Sequence, residues 1–123
     1  MCFIKFENFQ VLLSTYAKDG GLYVPEYLPI ISFEQLLSWK DCAFSEICAE
    51  IIFLFTENIP IEELRAMTTV AFSGFNQGGS CPIPMTTYGD IITLDTSLGP
   101  TLAFKDIGQQ VTDCDYSFVI LTC

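Results

Sequence analysis

The sequence predicts an α/β protein, mainly helical over residues 1–78 and then opening an α/β domain over 79–123, incomplete as it stands. Three observations carry this. Apolar residues recur at intervals of three and four in four stretches before residue 78, the period of helices buried on one face. From Gly74 to Pro84 the chain is rich in Gly, Asn, Gln, Ser and Pro without periodicity, which marks a loop or domain joint. Beyond it lie the short β-branched run Ile91-Ile92-Thr93-Leu94, expected as a strand entering a mixed α/β core, a turn at Gly99-Pro100 and a further helical segment from about Phe104. Helices, loop, strand, turn and helix in that order describe a helical cap joined to the start of an α/β domain.

The first helix rests on Phe9, Leu12, Leu13, Tyr16 and Ala17, and Asp19-Gly20-Gly21 ends it. Leu22-Tyr23-Val24-Pro25 is extended, because a residue before proline is pushed out of the helical region. Ser32 opens a helix over about 33–40, with Gln35 three residues on to complete a capping box and Ile31 placed to staple against Leu36. Phe44, Ile47, Cys48, Ile51, Ile52 and Phe55 form the stripe of a second helix that should be well buried. Pro60 with Glu62 and Glu63 suits a helix start, sterically and against the macrodipole, and Leu64, Met67, Ala71, Phe72 and Phe75 supply the apolar face.

Composition narrows the function. Half of the residues are hydrophobic and 16% are charged, which excludes a solvated tail and leaves apolar surface to pack against something further. The net charge of −10 repels phosphate backbones and anionic membrane surfaces, so neither nucleic acid nor membrane is an expected partner. Six cysteines at irregular spacings, with no signal peptide ahead of them, fit a reduced, cytoplasmic setting better than a disulfide framework. With no histidine and no C-x-x-C pair, neither a zinc site nor a Ser-His or Cys-His nucleophile is expected. Ile51–Phe55 is too short to span a bilayer.

Two blocks carry a family resemblance. Asp19-Gly20-Gly21-Leu22-Tyr23-Val24-Pro25-Glu26, followed by the Ser32 helix and by Ile59-Pro60 and Glu63-Leu64, resembles the N-terminal domain of threonine synthase and threonine-synthase-like proteins. Gly99-Pro100-Thr101-Leu102-Ala103-Phe104-Lys105-Asp106 resembles the cofactor-lysine segment of the same family, in matching order and separation. The resemblance implies a fold-type II pyridoxal-phosphate enzyme, with residues 1–78 as the helical N-terminal domain and 79–123 as the beginning of the catalytic domain. Lys105 would be both the catalytic and the cofactor-binding residue, its amine forming a Schiff base with the cofactor aldehyde and then moving protons.

The implied reaction converts O-phospho-L-homoserine and water to L-threonine and phosphate. Some threonine-synthase-like proteins of animals are associated instead with phosphate elimination to a 2-oxo acid, and the residues do not separate the two. Asp106 is expected to cap or orient the helix after the lysine, Thr101 to bond within the turn, and Phe104 to shield the lysine from water. By residue type alone Lys105 would be a solvated charge, and the octapeptide around it reverses that reading. Gly20 and Gly21 are read as a helix stop, and Gly78-Gly79-Ser80 as a flexible loop in preference to a phosphate cradle.

The family pattern usually has an aromatic residue and a histidine where this chain has Ser97 and Leu98. The glycine-rich loop for the cofactor phosphate and the polar partner of the pyridine nitrogen come later than Cys123 in that pattern. The resemblance therefore implies an N-terminal piece that binds pyridoxal phosphate weakly or not at all by itself. The segment from Val111 to Cys123 departs from the amphipathic helix the family would place there. The competing expectation is a non-catalytic module that associates through apolar surface.

Overall fold

The computed structural model describes residues 2–4, 16–56, 59–78 and 81–113. Of the expected first helix, Phe9 to Ala17, residues 9–15 lie outside the described residues, as does the tail after residue 113. Strand β1 (Cys2–Ile4) pairs in parallel with β2 (Tyr23–Pro25), Phe3 opposite Val24. The stop before β2 is built as the double glycine requires. Gly20 sits at φ 77° and its N–H donates to the Ala17 carbonyl at 2.8 Å, while the Asp19 carboxylate accepts from Gly21 N–H at 3.0 Å.

Helix α1 (Phe33–Ser38) starts at a complete capping box: Ser32 Oγ accepts from Gln35 N–H at 3.2 Å, and Gln35 Oε1 accepts from Ser32 N–H at 3.0 Å. None of its residues is buried, so the cap carries much of the burden of defining it. Helix α2 (Phe44–Phe53) begins after Ala43, whose N–H donates to Glu46 at 2.8 Å. Helix α3 (Ile61–Phe72) begins after Pro60, with Glu62 and Glu63 in the first turn where the macrodipole favours them.

The core is the α2–α3 hairpin. At one end Ala49, Leu64 and Met67 pack with Ile52, Ile59 and Ile61. At the other, Ala71, Phe72 and Phe75 pack with Phe44 and Cys48 and receive Ile107 and Val111 from the C-terminal helix α4, helical over 106–113. Phe72 meets Phe44 and Phe75 edge-on, at centroid separations of 4.9 and 5.2 Å. Thr68, fully buried on α3, donates its hydroxyl to the Leu64 carbonyl at 2.9 Å, and Arg65 pairs with Glu50 at 2.7 Å across the hairpin.

Two expectations need correction. The second helix is less buried than its stripe suggests: Ala49 alone is fully buried, because α3 covers one flank while Ile51 and Phe53 face outward. The strand at Ile91–Leu94 exists, but as β4 of an antiparallel hairpin with β3 (Met85–Tyr88) that is exposed along its length, so no described element covers it as a core strand would be covered. Tyr88 faces Ile91 across a Gly89-Asp90 turn with Gly89 at φ 60°, the positive φ that two-residue hairpins need at the first turn position. No helix among the described residues is long and apolar enough to cross a membrane.

Candidate cofactor-lysine turn

Between the exposed hairpin and α4 the chain makes two successive turns. Leu102 N–H donates to the Gly99 carbonyl at 3.0 Å, and Asp106 N–H to the Ala103 carbonyl at 3.0 Å. Pro100 occupies the second position of the first turn, where its ring pre-sets φ. Lys105 sits at the third position of the second turn and is also the residue from which α4 springs. Its carbonyl accepts from Gly108 N–H at 3.1 Å and from Gln109 N–H at 3.0 Å, and its side chain is exposed.

Asp106 fastens the two turns together. Its Oδ2 accepts from Thr101 N–H at 2.8 Å and its Oδ1 from the Thr101 hydroxyl at 2.5 Å, while the residue is 1% exposed. The Thr101 hydroxyl above all holds this carboxyl below the usual carboxylate range; burial opposes that, and backbone N–H groups of Thr101 and Ala103 add to it. Gly99 is packed against the same carboxylate: a Cβ there would lie 2.8 Å from Asp106 Cγ and closer still to Oδ2. The expected roles of Asp106 in orienting the helix and of Thr101 within the turn thus appear as one bidentate contact. Gly99 as its steric complement was not anticipated; the only trace in the sequence is the seven-residue interval to an aspartate that the fold closes.

Backbone strain gathers here. Leu102 lies at φ 59°, and Asn76 and Gln77 at φ 47° and 51°, all in the left-handed region that non-glycine residues enter at a cost of about 1–3 kcal/mol each. The two strained stretches are tied to one another through Asn76 N–H, which donates to the Leu98 carbonyl at 2.9 Å. Asn76 Nδ2 also donates to the Cys81 carbonyl at 3.0 Å, holding the left-handed bend after α3. With Ile107 and Val111 seated on Phe72 and Phe75, the lysine turn is anchored directly to the helical hairpin.

The departures upstream of the turn have defined places. Ser97 donates its N–H and its hydroxyl to Asp95 Oδ1, at 3.0 and 2.6 Å, and these bonds hold the Asp95 carboxyl below its ordinary range. Leu98 is half-buried and supplies the carbonyl for Asn76. Phe104, expected to shield the lysine, is 68% exposed, because no described element lies over it. A shallow groove between the α2 N-terminus and the α3 C-terminus, lined by Phe44, Thr69, Phe72 and Pro82 among others, does not include Lys105. Gly79 and Ser80 of the glycine loop lie outside the described residues, and among the described residues no cluster of His, Cys, Asp or Glu could hold a metal ion.

The chain as a whole is similar in fold to solved enzymes. The structure superposes on PLP-bound threonine synthase from Brucella melitensis with a TM-score of 0.82 over 92% of this chain and 24% of that one, at 28% identity. On yeast threonine synthase the TM-score is 0.77, over 89% of this chain and 23% of that one, at 25% identity. In sequence the chain is 37% identical over 106 residues to threonine synthase of Corynebacterium glutamicum, covering 82% of this chain and 22% of that protein. It is 35% identical over 111 residues to threonine synthase-like 2 of Rattus norvegicus, covering 89% of this chain and 22% of that protein. The chain thus spans about a fifth to a quarter of the relatives it matches. Residues 4–72 match the family described as threonine synthase N terminus, more than half of the sequence, and the chain belongs to the threonine synthase family.

Proposed function

We propose that this chain supplies the N-terminal cap and the cofactor lysine of a threonine-synthase-like, pyridoxal-phosphate-dependent enzyme acting on O-phospho-L-homoserine, a lyase of amino-acid biosynthesis in the cytoplasm. The products are L-threonine and phosphate if water adds at the β-carbon after phosphate leaves, or a 2-oxo acid, ammonia and phosphate if water instead displaces the amino group. In this reading residues 1–78 are the helical domain and 79–123 open a fold-type II catalytic domain. The observation that carries it is the placement of Lys105: an exposed residue immediately before α4, set on a turn tied to the helical core.

The residues present fit the covalent end of the cofactor. A primary amine is the group an aldehyde requires, and this one is exposed while its neighbour Asp106 is buried beneath the turn. When bound, pyridoxal phosphate supplies an electron sink in its pyridine ring. Lys105 would hold that group, and its amine would carry protons at the substrate carbons. Thr101, Asp106 and Gly99 keep the backbone of the lysine from drifting, since misplacement by about 1 Å costs on the order of a hundredfold in rate. Nothing among the described residues cradles the cofactor phosphate, so this stretch by itself is expected to hold the cofactor weakly and to show no turnover.

Titration of the purified chain with pyridoxal phosphate tests this reading. The expected result is a saturable change in visible absorbance that is absent in Lys105→Ala. Identical spectra for the two proteins would remove the lysine assignment.

A further inference from the structure

Building on that reading, we infer that Asp106 is the positioning residue for Lys105: its buried carboxylate sets where the amine stands without meeting cofactor or substrate itself. The geometry has three parts. The carboxylate takes both donors of Thr101, the N–H at 2.8 Å and the hydroxyl at 2.5 Å, so it grips the start of the turn from the start of the helix. Gly99 leaves no space on the other side, where an added Cβ would sit 2.8 Å from Asp106 Cγ. Between the gripped ends the chain is forced through Leu102 at φ 59°, a conformation that persists only when its surroundings over-determine it.

Lys105 immediately precedes α4 and Asp106 is its first residue, so the two side chains leave successive Cα atoms of one tight turn in different directions. Burying one of them therefore directs the other. Asp106 is 1% exposed and Lys105 is exposed, so the contact that draws the carboxylate in fixes the outward direction of the lysine. Its effect is mechanical, a constraint on the Lys105 Cα and on the first turn of α4.

The test uses the whole chain and pyridoxal phosphate, trapped with borohydride and located by peptide mass mapping, with Lys5, Lys18 and Lys40 as internal standards. The unaltered chain is expected to trap label at Lys105 in preference to the other three. Asp106→Asn and Asp106→Glu are both expected to lose that preference by about tenfold or more, with circular dichroism unchanged, given how steeply reactivity falls with misplacement. The glutamate variant keeps the charge but overreaches Thr101, so a preference equal to that of the unaltered chain would overturn the positioning role in favour of plain electrostatics. Equal preference in all three proteins would overturn it as well, while leaving Lys105 as the cofactor lysine. No preference in the unaltered chain would overturn the lysine assignment itself, and the positioning role with it. Should the Asp106 variants unfold, Thr101→Val and Thr101→Ser decide: the serine form is expected to retain more of the preference, and equal trapping by the two would refute the contact.

Discussion

At the scale of single residues, Asp106, Gly99 and Cys48 each have an environment that makes a measurable difference. The folded pKa of Asp106 is lower than that of an unfolded aspartate, so its contact stabilises the fold above the ordinary carboxylate range, and that contribution is lost as pH falls through the folded value. Thermal unfolding across pH 2–7 is expected to show an acid-side loss that is smaller in Asp106→Asn. Gly99→Ala places a methyl group against the same carboxylate, and overpacking of this kind costs about 1–3 kcal/mol. Denaturant melts of that variant are expected to shift by this amount, and an unchanged midpoint would mean that the turn gives way more easily than its bonds suggest. Burial pushes the Cys48 thiol up to about 11, whereas Cys42 and Cys81 are exposed. Since the thiolate is the reactive form, alkylation near pH 8 is expected to modify Cys42 and Cys81 well before Cys48, read by mass spectrometry over time.

At the scale of elements, what the sequence made legible was whatever depends on neighbours along the chain. The Ser32/Gln35 box, the glycine stop at Gly20 and the proline start of α3 are local chemistry, and each stands where the residues put it. Helix α1 illustrates the consequence. With no buried residue, it has little tertiary packing to hold it, and Ser32→Ala is expected to cost about 1 kcal/mol and to raise amide exchange selectively over residues 33–38. Uniform exchange in the altered and unaltered proteins would show that α1 draws its stability from elsewhere. Less legible was anything settled by distant partners. The stripe on α2 reads as fully apolar, but how much of it is covered depends on where α3 lies. Strand β4 was legible from its β-branched residues, while its partner β3 was masked: Thr86, Thr87 and Tyr88 suit a strand, but Pro82 and Pro84 carry the loop composition right up to it. The candidate site divides the same way. Lys105 stands as a candidate through its octapeptide, whereas the closure of Gly99 onto Asp106 is a contact of the folded turn and leaves no periodicity to read.

At the scale of the molecule, the described residues behave as a helical hairpin with a lysine turn bolted to one end and a good deal of apolar surface left open. Ile91, Ile92 and Leu94 on β4 and Tyr88 on β3 are all more than half exposed, as are Leu102 and Phe104 beside the lysine. The bolt is the cluster of Ala71, Phe72 and Phe75 with Ile107 and Val111, reinforced by the bond from Asn76 to Leu98. If that cluster couples the hairpin to the turn, damage on α3 must be felt at Lys105. Phe72→Ala removes the ring that meets both Phe44 and Phe75, a change that costs about 3–5 kcal/mol in a packed core, which is a large part of the stability of a domain this small. Native-state hydrogen exchange is the appropriate measurement, because it resolves segments. The expected outcome is loss of protection in residues 106–113 together with α3, since α4 has Ile107 and Val111 on the damaged cluster. Protection retained in 106–113 while α3 loses it would mean that the turn is held by the Thr101–Asp106 contact alone, and that the helical cap bears no weight in placing the lysine.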